Sequence, residues 1–172
     1  MAADTIAAVK EFVMTRSFDA PRDTVWQAWT QADRMAQWWS PSGFTTRIAR
    51  LDLKPGGMCH YCMKGADGAE MWGKSVYREI VPPSKIVSVI SFSDENAGYT
   101  RHPMSPTWPR EMLTMIELTP EGANKTQVTV RWIPINAGAD EIKTFDEGRE
   151  GMKMGWTGTM DQLSGYLAKV KA

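Results

Sequence analysis

The stretch from Asp140 to Val170 switches the period of the chain from two residues to 3.6. Phe145, Met152, Trp156, Met160, Leu163, Leu167 and Val170 are separated by 7, 4, 4, 3, 4 and 3 residues. At about 100° per residue they fall on one stripe, which predicts a long amphipathic helix facing a core. A second stripe, Gly148, Gly151, Gly155 and Gly158, has spacings of 3, 4 and 3 and lies to one side of the first. Each interior glycine costs a helix about 1 kcal/mol relative to alanine. Four on one flank therefore serve a purpose: close packing, a break near the helix start, or the wall of a cavity.

Upstream, short apolar runs alternate with turn residues. Val9 to Phe18 reads as a strand, followed after an intervening segment by Phe44 to Leu53, Met58 to Lys64, Glu70 to Ile80, Lys85 to Ser93, Glu111 to Thr119 and Lys125 to Ile133. Lys54-Pro55-Gly56-Gly57, Ala66-Asp67-Gly68, Pro82-Pro83 and Pro120 to Asn124 punctuate them. Connections this short favour an antiparallel meander over βαβ units. The intervening segment, Pro21 to Pro41, holds four of the eight tryptophans: Trp26, Trp29, Trp38 and Trp39. Pro21 suits the first turn of a helix, and Val25, Ala28 and Trp29 share one helical face. Thr30 with Asp33 reads as a capping box for a second short helix, ended by Pro41. The economical packing of these parts is an α+β fold in which a curved antiparallel sheet wraps the C-terminal helix, with a pocket between them.

Composition narrows the function. The 172 residues are expected to form one domain, 1–172. Lys+Arg and Asp+Glu are 20 each, so there is no electrostatic footprint for nucleic acid. No apolar run is long enough to span a membrane. The start, MAADTIAAVKEF, lacks the basic n-region and apolar core of a signal peptide, so a cytoplasmic location is expected. Cys59 and Cys62 form a C-x-x-C pair. They sit in a predicted strand, where residues three apart point to opposite faces, so they read as two separate thiols rather than a redox or metal pair.

Four segments in order, VWQAWTQADRMAQWWSPSGFT, LDLKPGGMCHYCMKGADG, VYREIVPP and GWTGTMDQLSGYLA, resemble the activator of Hsp90 ATPase homologue-like domain. That domain belongs to the SRPBCC superfamily, which is START-like and shares the Bet v 1-type helix-grip fold. The resemblance runs from about Val9 to Leu167 and implies a hydrophobic cavity between sheet and C-terminal helix. It does not carry over co-chaperone activity. The superfamily includes polyketide cyclases and aromatases, but no common catalytic motif transfers.

No G-x-S-x-G elbow, H-E-x-x-H helix or Walker loop is present, and no cofactor or metal is expected. The reading favoured here is binding of a small hydrophobic or amphipathic molecule. Its expected wall is Trp39, His60, Trp72, Phe92, Met112, Trp132, Met152, Trp156 and Met160, with His60 or an arginine fixing orientation. These positions rest on strand parity, which one register slip inverts. Asp94 to Arg110 is a 17-residue loop with Tyr99, Met104, Trp108 and three prolines. A loop this long is a lid, a homodimer contact or a surface cover; as a lid it adds Trp108 to the wall. His102, on this loop, reads as a solvated or rim residue. Two rival functions stay open: an enzyme on ketide-like or aromatic substrates with His60 as general base, and an interaction module, chaperone-linked or homodimeric.

Overall fold

The computed structural model describes residues 9–171. Residues 1–8, on which the signal-peptide reading falls, lie outside it. The elements are β1 (Phe12–Phe18), α1 (Arg22–Thr30), α2 (Ala32–Met35), β2 (Phe44–Leu51), β3 (Met58–Gly65), β4 (Glu70–Val81), β5 (Lys85–Ser93), β6 (Glu111–Pro120), β7 (Thr126–Ile135), α3 (Ala139–Glu147) and α4 (Arg149–Lys171).

The seven strands form one sheet in the order β1-β7-β6-β5-β4-β3-β2. Every neighbouring pair is antiparallel. From β2 to β7 each strand pairs with its successor, across short turns except between β5 and β6, which the long 94–110 loop joins. β1 departs from this pattern. It closes onto β7, Phe12 opposite Trp132, while β2 forms the other edge. The α1–α2 segment therefore carries the chain from one edge of the sheet to the other. Register shifts at Ile48/Arg50 and Tyr77/Glu79 mark irregularities in β2 and β4, and such bulges bend and twist a strand.

The tryptophan-rich segment supplies the centre of the core. Trp38 is fully buried, and its indole N–H donates to the Ala28 carbonyl at 3.0 Å. Trp29 meets Trp38 edge-on at 4.6 Å and stacks near Trp156 of α4 at 6.4 Å. The large apolar partner of these helices is thus α4 together with the sheet. Two local expectations are corrected. Pro21 is the N-cap just before α1, with an extended ψ of 148°. Thr30 is the last residue of α1, and its hydroxyl donates to the Trp26 carbonyl, so the N-cap of α2 is Gln31 and no capping box forms.

The predicted C-terminal helix is two helices that meet at Gly148. Phe145, fully buried, anchors α3. Met152, Trp156, Met160, Leu163 and Leu167 are all buried along α4. Arg16 of β1 pairs with Asp161 at 2.6 Å, and Arg149 donates to the Glu11 carbonyl at 3.1 Å. These two ties, at the first residue and near the middle of α4, fix the helix to the β1 edge.

Candidate functional site

A cavity of about 450 Å³ lies between the inner face of the sheet and the first half of α4. Its floor is built by strand alternation. In β3 the inward residues are Cys59, Tyr61 and Met63, of which Tyr61 and Met63 reach the cavity. Met71 and Gly73 of β4, Ile90 and Phe92 of β5, Met112 of β6 and Trp132 of β7 continue the floor. Gly73 is there because the Tyr61 ring lies across it: a Cβ at 73 would come within 2.6 Å of the Tyr61 hydroxyl. Met152, Trp156 and Thr159 form the roof, and Trp39 and Pro41 close one end.

The roof is open along the glycine stripe. Gly148, Gly151 and Gly155 border the cavity, and a Cβ at 151 or 155 would meet nothing within 4 Å. The stripe thus divides its work. Gly148 is the break between helices, Gly151 and Gly155 leave an open edge, and Gly158 faces the Ser42 nitrogen at 3.5 Å from its would-be Cβ.

Two expected wall residues lie elsewhere. His60 alternates with Tyr61, so it points to the outer face of the sheet. There its Nε2 lies 3.0 Å from the Asp94 carbonyl, and its ring stacks on Trp72 at 4.8 Å. The sequence is ambiguous at this point because both parities of Met58 to Met63 mix cysteine with apolar residues. Met160 is fully buried but sits one turn beyond Trp156, in the core next to the cavity. Trp72 borders the cavity, but it alternates with Met71 and Gly73, so its ring lies on the outer face, stacked on His60 and carrying the Arg47 guanidinium at 5.0 Å, and it is not the wall side chain expected. Phe92, Trp108, Met112, Trp132, Met152, Trp156 and Trp39 all border it.

The long loop joins the two faces of the sheet. Near its start, Lys74 projects from the outer face into it, donating to the Ala97 carbonyl at 2.7 Å and lying 3.8 Å from the Tyr99 ring centre. The Asp94 carboxylate accepts the Gly98 and Asn96 N–H groups, both at 2.8 Å, and these hold its pKa below the ordinary 3.8. Further on, the loop turns over the end of the sheet. His102, Trp108 and Pro109 form that end of the cavity. Arg101 pairs with Glu141 of α3 at 2.7 Å, and the Thr144 hydroxyl donates to Thr107 at 2.8 Å. Trp108 packs against Phe145 at 6.2 Å.

His102 was missed as a wall residue because nothing in a loop sequence signals an inward turn. Its ring meets Phe92 edge-on at 4.8 Å. Nδ1 accepts the Met104 N–H at 3.0 Å, and burial lowers its pKa below 6.5. The neutral ring therefore carries its proton on Nε2.

Among the described residues the cavity wall contains no aspartate, glutamate, lysine or arginine. Burial keeps the Tyr61 hydroxyl protonated, with a pKa well above the ordinary 10. Cys59 and Cys62 are free thiols on opposite faces; burial pushes Cys59 up to about 12. Among the described residues no group of three or more His, Cys, Asp or Glu side chains is placed to hold a metal ion.

A curved antiparallel sheet closed on a long C-terminal helix around an apolar cavity defines the helix-grip class of α+β protein. The chain belongs to the family described as Activator of Hsp90 ATPase homolog 1-like protein, whose pattern matches residues 19–168. This places it with the SRPBCC proteins. Solved structures of similar fold include several from bacteria. A protein of Arthrobacter aurescens is 22% identical, with 94% of this chain and 87% of that one covered at a TM-score of 0.78. One from Nitrosomonas europaea is 22% identical, with 96% and 99% covered and a TM-score of 0.74. Protein Ms6760 of Mycobacterium smegmatis is 21% identical, with 92% and 91% covered and a TM-score of 0.74. No curated protein matches the chain. Among the described residues no helix is long and apolar enough to cross a membrane.

Proposed function

We propose that the chain binds a small hydrophobic or amphipathic molecule in the cavity between the sheet and α4, and that it does so in the cytoplasm as a single unit. The observation that carries this reading is a continuous, uncharged, aromatic wall around about 450 Å³, within the range of small-molecule sites. Gly151 and Gly155 support it, because they forgo helix stability beside that space. Trp39, Phe92, Trp108, Met112, Trp132, Met152 and Trp156 are the proposed contacts, and the loop from Asp94 to Arg110 closes one end.

Native mass spectrometry of freshly purified protein, followed by solvent extraction, tests the reading. A reproducible added mass that is lost when Gly155→Trp fills the open edge supports it. A bare 19.3 kDa mass, combined with no change in tryptophan emission across a panel of lipids, flavonoids and polyketides, overturns it. The rival enzyme reading loses its proposed base, since His60 lies on the other face of the sheet.

A further inference from the structure

Gly148, just before α4, and Gly151, Gly155 and Gly158 within it share one flank but face different surroundings. A Cβ at Gly148 would meet the Trp108 ring at 3.1 Å, and one at Gly158 would meet the Ser42 nitrogen at 3.5 Å. At these two points the flank is closed, by the β5–β6 loop at one end and by the chain after α2 at the other. Between them, Cβ atoms at Gly151 and Gly155 would meet nothing within 4 Å. The stretch from one closing contact to the other spans about 15 Å of helix at the usual rise per residue. Gly151 and Gly155 are also solvent-exposed, and among the described residues that line the cavity they alone are. A position that lines a cavity and faces solvent marks its mouth.

The loop end is shut by several ties at once. Arg101 pairs with Glu141 at 2.7 Å, Thr144 donates to Thr107 at 2.8 Å, and Pro109 is buried. Trp108 covers Phe145, which is fully buried. Opening there breaks these ties together and exposes an aromatic ring, a step of the kind that limits exchange when a lid must move. A gap free of side chains requires no such step.

We infer that the gap between Gly148 and Gly158 is the route by which a ligand enters and leaves the cavity, with Gly151 and Gly155 as its lip, and that the β5–β6 loop and α3 stay closed during exchange. The inference rests on the cavity-binding reading above and adds the path to that site. The side chains at 151 and 155 then set the rate of exchange, and the ties of the loop do not.

The test needs no identified ligand. Met112→Cys places a thiol on the cavity floor, and its reaction with methyl methanethiosulfonate, a small neutral reagent, is timed in the folded chain. Peptide mapping separates this thiol from Cys59 and Cys62. Adding Gly151→Leu and Gly155→Leu is expected to slow the reaction about tenfold, as an added barrier on the route does. If the double variant does not fold, Gly155→Leu alone is read in the same way. Adding Arg101→Ala and Thr144→Ala instead, which cuts two ties of the loop, is expected to leave the rate within about twofold. A rate that the leucines leave unchanged overturns the inference, and so does a tenfold rise in the untied chain, which would put exchange at the loop end; both leave the cavity reading standing. No reaction at residue 112 in the folded chain, with full reaction in urea, overturns the inference and counts against the cavity reading itself.

Discussion

Three glycines of this chain make the same substitution mean different things. At Gly57 a Cβ would sit 2.1 Å from the Asp52 carbonyl oxygen, a backbone atom with no room to retreat. At Gly155 it would enter open space on an exposed helix. Gly57→Ala is therefore expected to lower stability by about 2 kcal/mol or more, as forced backbone strain does. Gly155→Ala should raise it by about 1 kcal/mol. Urea unfolding of the two variants checks the pair, and a stabilising Gly57→Ala would overturn the close approach described here. At Gly73 the obstruction is the Tyr61 ring, so an alanine there displaces a cavity wall residue and is expected to act on binding as well as stability. The two thiols give a second residue-scale prediction. With its pKa near 12, Cys59 is almost wholly thiol at pH 8, and it is buried. Iodoacetamide at pH 8 should leave it unmodified in the native chain and label it once the chain is unfolded. Rapid native labelling of Cys59 would contradict its position under Met35, whose sulfur lies 3.9 Å away.

At the scale of elements, the loop between β5 and β6 is held by acid-sensitive ties. The Gly138 N–H, and then Arg101, hold Glu141 below its ordinary 4.5, with Arg110 acting in the same direction. Asp94 is held below 3.8 by the Gly98 and Asn96 N–H groups, with His60 and Lys74 adding attraction. His102 is lowered from 6.5 by burial. For all three the unfolded chain binds protons at a higher pH than the folded one, so stability rises with pH across each window. The contribution of His102 is present above pH 6.5 and declines as pH falls below it. Those of the two carboxylates are present above about pH 4.5 and are lost at lower pH. NMR titration should give His102 a midpoint below 6.5, and a midpoint above that value would contradict its packing against Phe92 and Trp108. Within α3, Phe145→Ala removes a fully buried ring under Trp108 and is expected to cost about 3–5 kcal/mol, read as a lowered unfolding midpoint.

At the scale of the whole molecule, the fold was legible because its signals are local. Lys85–Ser93 is a strand at the bounds its β-branched run marks, and Met58 and Glu70 begin strands where turn residues end. The stripe from Met152 to Leu167 is the buried side of α4. The break at Gly148 was legible only as one of several uses of a glycine, since helix period continues across it. The site was legible where a residue's face follows from a clear apolar stripe, as for Met152 and Trp156. It was not legible at His60, where two equally mixed faces alternate, or at His102, where the inward turn depends on Arg101 and Thr107 finding α3. These are tertiary facts with no local trace.

The placement of β1 beside β7 has a consequence for how the chain reaches this shape. Strands β2 to β7 each pair with their successor, four of the five pairs across short turns and β5–β6 across the 17-residue loop, so each pairing closes a loop far smaller than the β1–β7 one. Thr15 and Thr129, whose hydroxyls meet at 3.2 Å across the β1–β7 seam, are 114 residues apart in sequence. Closing so long a loop has an entropic cost that is met only after the hairpins exist to receive the strand. Folding is therefore expected to end at this seam. In pulse-labelling hydrogen exchange, the amides of Val13 to Ser17 should become protected after those of β4 and β5, and substitutions in β1 should speed unfolding more than they slow folding.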